Sequence, residues 1–454
     1  MFEKKEFFKL FWPVLIEQIL TTTIGMVNTM MVSSVGIEAI SAVSIVDSIN
    51  LVVMNLFIAF ATGATVIVAQ RIGAKDPDKA SETASQAMSA CVFIALISGM
   101  SFIIFGNQII NLLFAEAEEI IKANAKVYLI FSGISYPFLA ISSMSSGIMR
   151  ASGNTKSPMR ASILANIVNA GVGALCIYIL KLGVAGAGIA LISARVANAV
   201  ILAVIIFKPD TSTGIGIRKV AVKLQKSILW PVMQIGLPAC IDGLIFNGGK
   251  LLIQTMITSL GTVSLAANGV SGSVMGLINI PGNAISIVAI TIVGQAVGAG
   301  VFGKVLKKII RSLVVYAMLL LGVMSLVMLP LVPFILNLYA PPVEVKNMAI
   351  SILHLVLIFL PLTWPTAFVL SACIRSTGDS LYITIVSILS MWFARVLGGW
   401  VSMTYLNWGL MGIWLFWCVD WVVRSIIFII RTKTSPYINR VSDESVSINK
   451  SFAQ

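Results

Sequence analysis

Four of the 18 acidic residues fall inside apolar windows: Glu17, Asp47, Asp242 and Asp420. The basic residues so placed are Arg195, Lys250 and Arg395, with Arg424 near a window end. An ionised side chain in hydrocarbon costs on the order of 3 kcal/mol or more, so such groups are expected to be paired, wetted by a cavity, or functional. The chemistry open to them is ion handling rather than bond making. A desolvated carboxyl favours its protonated form and can load and release a proton. Glu17 and Asn28 are 11 residues apart, almost three helical turns, and share a face with Thr21 between them. That polar stripe on an apolar helix makes Glu17 a candidate ion-coupling carboxyl. The other reading places Glu17 near the inner end of its span, contacting loops through Pro13.

These residues need elements that cross a membrane. Of 454 residues, 58% are hydrophobic and 11% charged, under half of the roughly 25% charged content of soluble domains. Apolar windows recur with short polar breaks, and a backbone crossing lipid must satisfy its own hydrogen bonds, so the windows are helices. The pattern predicts an all-α membrane protein with twelve transmembrane helices between residues 10 and 430. Both termini are expected in the cytoplasm and the first apolar run is a span rather than a cleaved signal peptide. Arg71, Lys75, Arg150, Lys156, Lys304, Arg311 and Arg375 then fall in inner breaks, while Glu38, Glu116, Glu118, Glu119 and Glu344 fall in outer ones. That asymmetry accounts for the net charge of +13 without nucleic acid. The bilayer itself is the expected partner, in the cell inner (plasma) membrane, and the chain is expected to work as a monomer.

Other classes are excluded. The five cysteines sit in apolar runs without a CxxC pair, and there is one histidine, so neither a disulfide framework nor a zinc site is supported. No GxxxxGK[ST] run is present, and no cluster of nucleophile and base suggests an enzyme.

The sequence repeats itself at an offset of 225. Pro13 maps to Pro238, Glu17 to Asp242, Gly36 to Gly261, Gln70 to Gln295, Arg150 to Arg375 and Gly153 to Gly378. The register slips by one near the end, where Gly183 and Gly186 meet Gly409 and Gly412. Six spans per copy bring both copies in from the same side, so the repeat is parallel, a recurring transporter plan. The expected segments are an amino-terminal six-helix lobe at 1–207, a cytoplasmic linker at 208–230 and a carboxy-terminal six-helix lobe at 231–430. A disordered cytoplasmic tail is expected at 431–454.

At PVLIEQ…GMVNTMMVSSVG, AQRIGAKD and RASGNTKSP, each echoed in the second half, the chain resembles the multidrug and toxic compound extrusion (MATE) family. The resemblance covers roughly residues 10 to 430. It implies two six-helix lobes in a V around a central cavity. It also implies export of organic, usually cationic or amphipathic compounds by alternating access, as an antiporter using H+ or Na+ and no cofactor. The chain departs from the family's pattern at its ion sites. Asn28 stands where the first span of other members carries an Asp. Asn169 is followed four residues later by Gly173 rather than an Asp. Phe246 replaces a Glu one turn beyond Asp242.

The remaining charges divide by expected role. Asp242, the repeat mate of Glu17, is either part of a cation or substrate site or an internal pair with a base. Lys250, two turns beyond it, is expected to neutralise an acid in one state. Arg395 and Asp420, on consecutive antiparallel spans at similar depth, are expected to form a structural ion pair. Asp47 is expected to be wet, and His354 is either a proton relay or a packed, hydrogen-bonded residue. The candidate ion and substrate residues are therefore Glu17, Asn28, Asn169, Asp242 and Lys250. The alternative function is a flippase for lipid-linked oligosaccharide of the same superfamily, gripping a pyrophosphate with Arg195, Lys250 and Arg395.

Overall fold

The computed structural model describes residues 4–114, 117–208, 223–339 and 341–440. Among them every regular element is a helix. The first repeat forms α1 (Lys4–Ser33), α2 (Ile37–Gly73), α3 (Pro77–Leu112), α4 (Glu119–Ala151), α5 (Lys156–Ile179) and α6 (Gly183–Ile206). The second forms α7 (Lys226–Ser259), α8 (Thr262–Ile278), α9 (Ile280–Gly298), α10 (Gly303–Leu338), α11 (Val343–Ser376), α12 (Ser380–Thr404) and α13 (Gly409–Thr434). Twelve of these are long and apolar enough to cross a membrane, and α8 is shorter. Together α8 and α9 match α2 at the 225 offset. Pro281 supplies no N–H to the ladder at their junction, so one long helix becomes two.

The turns repeat as well as the helices. Gly36 (φ 142°) and Gly261 (φ 93°) take the same left-handed turn, as do Gly153 (φ 84°) and Gly378 (φ 102°). After the register slip, Lys181 pairs with Asn407 and Gly183 with Gly409, all at positive φ. At one such junction Asp76 caps α3 by accepting from the Lys79 amide at 3.1 Å, and its carboxylate meets the Lys79 ammonium at 2.9 Å. Those two bonds hold the Asp76 carboxyl below its usual range.

The described chain divides into two units, Phe8–Cys240 and a second that begins at Ile241 and takes in Phe7. The division falls inside α7 rather than at residue 231. The cause is a close helix crossing. A Cβ on Gly63 of α2 would lie 2.4 Å from the Val232 carbonyl oxygen and 2.9 Å from the Gly236 amide. Val232 is fully buried in the same core as Phe57, Tyr136 and Met144. Small residues let the first half of α7 dock on α2, as membrane helices commonly do.

The expected boundary of a disordered tail at 431 is corrected. Helix α13 runs to Thr434, Arg431 and Ser435 both donate to Asp379, and Ile438 is buried, with its carbonyl accepting from Gly303. These contacts anchor the chain through residue 440. The rest of the expected tail, and most of the expected linker (209–222), lie outside the described residues.

Candidate functional site

The duplicated acids find duplicated bases. In the amino-terminal unit, Arg150 in the last turn of α4 donates through Nη1 to both carboxylate oxygens of Glu17 on α1, at 2.9 and 3.1 Å. In the carboxy-terminal unit, Arg375 of α11 donates through Nη2 to Asp242 Oδ2 on α7 at 3.1 Å. Both pairs span 133 residues. In the sequence Arg150 and Arg375 stand out only as repeat markers and topology charges. The equal separations carried the missing signal, since a repeat that conserves an acid and a base at one spacing conserves a pair. All four side chains are mostly buried, at 10% and 17% exposure in the first pair and 21% and 17% in the second. Neither carboxyl is a bare acid; each is held by a guanidinium in a low-dielectric setting.

The polar stripe on α1 is only partly built into a site. Asn28 is half-buried. Asn169 on α5 is buried, its Nδ2 reaches the Ala190 carbonyl at 3.4 Å, and its Oδ1 lacks a hydrogen-bond partner among the described residues. The place of a fifth-span acid is occupied by sulfur chemistry instead. A Cβ on Gly173 would lie 2.7 Å from the Met31 methyl and 3.0 Å from its sulfur. That methyl ends a flexible side chain, so Gly173→Ala is expected to cost less than about 1 kcal/mol, with Met31 swinging aside. Thermal unfolding of the purified variant checks this; a loss above about 2 kcal/mol would mean Met31 is locked.

Asp47 is exposed and accepts from Asn50 Nδ2 at 3.3 Å. Buried Asn50 continues inward to Ser132 and to the Tyr136 hydroxyl, which donates to it at 2.8 Å. Arg195 donates to Ser135 at 2.6 Å in the same unit. It is thus engaged with α4, whereas Lys250 and Arg395 belong to the other unit. His354 is hydrogen-bonded rather than free. Its Nε2 meets the Leu329 carbonyl at 3.1 Å, the carbonyl that Pro333 leaves without an amide donor four residues on.

The expected Arg395–Asp420 ion pair is corrected. Asp420 is wholly buried and pairs with Arg424 one turn along α13, Nε to Oδ1 at 2.8 Å, and it accepts the Ser390 hydroxyl on the same oxygen. Arg424 also donates to the Ser387 carbonyl at 3.0 Å. The i,i+4 spacing within one helix commits Asp420 Oδ1 to Arg424, while Oδ2 is buried without a hydrogen-bond partner among the described residues. Arg395 instead lies over Trp417, its guanidinium carbon 3.6 Å from the ring centroid. It sits in a π-helical turn of α12, Ser390–Leu397, that also carries Ser390. Phe246, which stands where the family pattern has an acid, is ringed by cations: Lys250 at 4.9 Å, Arg395 at 5.3 Å and Arg424 at 5.8 Å from its centroid. Two close approaches position them. Met391 fills the space a Cβ on Gly249 would need, and Phe416 does so at Gly398, drawing α12 against α7 and α13.

A family model described as MatE matches residues 13–175 and 238–401, two stretches that begin at the repeat-related Pro13 and Pro238. The "Probable multidrug resistance protein NorM" of Thermotoga maritima is 28% identical over 433 residues, covering 93% of this chain and 90% of that protein. The "Multidrug export protein MepA" of Staphylococcus aureus strain MSSA476 is 22% identical over 396 residues, 86% of each. A solved structure described as the outward-facing conformation of a multidrug resistance MATE family transporter has a TM-score of 0.86 at 21% identity. It covers 96% of this chain and 96% of that one.

Proposed function

Because the chain belongs to the MatE family, whose relatives here are multidrug efflux transporters, we propose that it is a secondary antiporter of the plasma membrane. It exports amphipathic organic compounds from the cytoplasm by alternating access, in exchange for protons, with both termini inside. The observation that carries this reading is the Glu17–Arg150 pair and its repeat, Asp242–Arg375.

A carboxylate already gripped by a guanidinium offers a metal cation little room. A proton needs one lone pair. Protonating Glu17 removes its charge, releases Arg150 from a strong charge-assisted bond and changes what holds α1 to α4. Such a local switch, made twice, can bias which side of the membrane a binding site faces. The driving force is adequate: one charge falling through 100 mV releases about 2.3 kcal/mol. Each pH unit adds about 1.4 kcal/mol per proton.

Proteoliposomes loaded with ethidium test the proposal. Efflux should start when the outer medium is acidified and should stay at background under a sodium gradient at equal pH. Equal efflux under sodium alone would replace the proton by sodium, and no gradient-driven efflux of any kind would remove the antiporter reading.

A further inference from the structure

Among its described residues, the carboxy-terminal unit holds more buried positive charge than its ion pairs balance. Around Phe246 stand Lys250, Arg395 and Arg424. Among the described residues, Asp420 is the only acid that pairs with any of them, and it pairs with Arg424. Arg395 is 1% exposed, and its Nε and Nη1 find no hydrogen-bond partner among the described residues. Lys250 is exposed and makes no ion pair among the described residues. A guanidinium taken out of water without a hydrogen-bonded anion is costly, and stacking on Trp417 offsets only part of that cost.

Three features turn this imbalance into a site. Lys250 and Arg395 lie over one aromatic ring, 4.9 and 5.3 Å from the Phe246 centroid, which brings both charges to one place in the unit. They lie at matching levels, each nine residues from the ends of α7 at Ser259 and α12 at Thr404, about 14 Å of helix rise. The cluster is also absent from the first repeat. There the equivalent positions are Gly25 for Lys250, Asn169 or Ala170 for Arg395, and Asn198 for Arg424. Duplication therefore did not supply these charges; the second unit carries them separately.

We propose that Lys250 and Arg395, beside Phe246 and Trp417, form a subsite for the acid group of an amphipathic organic anion, a carboxylate on an aromatic body. This deepens the exporter reading and rests on it for the claim that the ligand is cargo. Arg395 supplies unfilled N–H groups in a planar array suited to a carboxylate. Lys250, which is exposed, supplies the second charge. The aromatic rings accept the flat apolar body.

The test uses the full chain in nanodiscs, with empty nanodiscs as blank. The probes are 1-naphthoate and (1-naphthylmethyl)trimethylammonium, the same apolar body with opposite charge, followed by calorimetry. Wild type should bind naphthoate saturably. Lys250→Met and Arg395→Met should each lower the ratio of anion to cation affinity at least tenfold, and Arg395→Lys should fall between. General damage to the fold weakens both probes and leaves that ratio unchanged, which would overturn the proposal. Naphthoate binding no stronger than the blank would also overturn it. So would displacement of naphthoate by equimolar inorganic phosphate, which would mark a phosphate or lipid-headgroup site. If Arg395→Met does not fold, the exposed Lys250 decides. Gradient-driven efflux of ethidium or naphthoate separates the two claims. Efflux without naphthoate binding sinks the subsite alone. Lys250-dependent naphthoate binding without driven efflux sinks the exporter and keeps the subsite.

Discussion

Glu17→Gln should abolish proton-driven efflux, and Arg150→Met should lower stability by about 3 kcal/mol. The second figure follows from burial: removing one partner of a buried pair leaves an uncompensated charge, which typically costs 3–5 kcal/mol. Here both side chains retain a little exposure, so the low end applies. The first follows from charge. Gln at 17 imitates the protonated state permanently, so Arg150 stays released and no proton can switch it. The double variant Glu17→Gln, Arg150→Met should recover most of the stability, because a neutral pair has no charge to strand, but should not recover coupling. Thermal unfolding and driven efflux of the four proteins complete a double-mutant cycle. Unchanged proton-driven efflux in Glu17→Gln would remove Glu17 from the mechanism. At the repeat mate, Arg375→Met should cost less, about 2 kcal/mol, since Asp242 receives one bond from Arg375 where Glu17 receives two from Arg150 and its side chain is more exposed.

Gly63→Ala is the second large effect. The added Cβ would meet the Val232 carbonyl and the Gly236 amide at distances no packed carbon adopts. Both are backbone, so relief requires α2 and α7 to move apart and to open the core around Val232. A loss of about 3 kcal/mol is expected, the upper range for overpacking. Gly236→Ala should be milder, because its Cβ would meet the Ala59 carbonyl at 3.1 Å. Gly171, with nothing within 4 Å, serves as control. Alanine there should leave stability unchanged or raise it by up to about 1 kcal/mol, since helical glycine is intrinsically unfavourable. Denaturant unfolding in detergent reads all three, and a Gly63→Ala midpoint equal to wild type would dismiss the close crossing.

The particular residues show where sequence reasoning reached. Pro13 and Pro238, Gly36 and Gly261, and Gly153 and Gly378 are local signals, and each reappears as a repeated helix or left-handed turn. Asp420 is the instructive failure. Arg395 and Asp420 looked matched in depth on neighbouring spans, yet depth along an axis says nothing of which face a side chain leaves from. Arg424, one turn away on the same helix, had the prior claim.

What the sequence alone determined is the set of helices, their duplication and the residue types held in them. Hydrophobic length and backbone hydrogen bonding act locally, so they are written in consecutive residues. What the tertiary structure decided is which charge meets which. Arg150 reaches Glu17 across 133 residues, Met31 takes the space beside Gly173, and Phe246 gathers three cations. The physical reason is that ion pairing and desolvation depend on distances of a few ångströms between separate helices, and those are set by small residues at helix crossings rather than by any one segment.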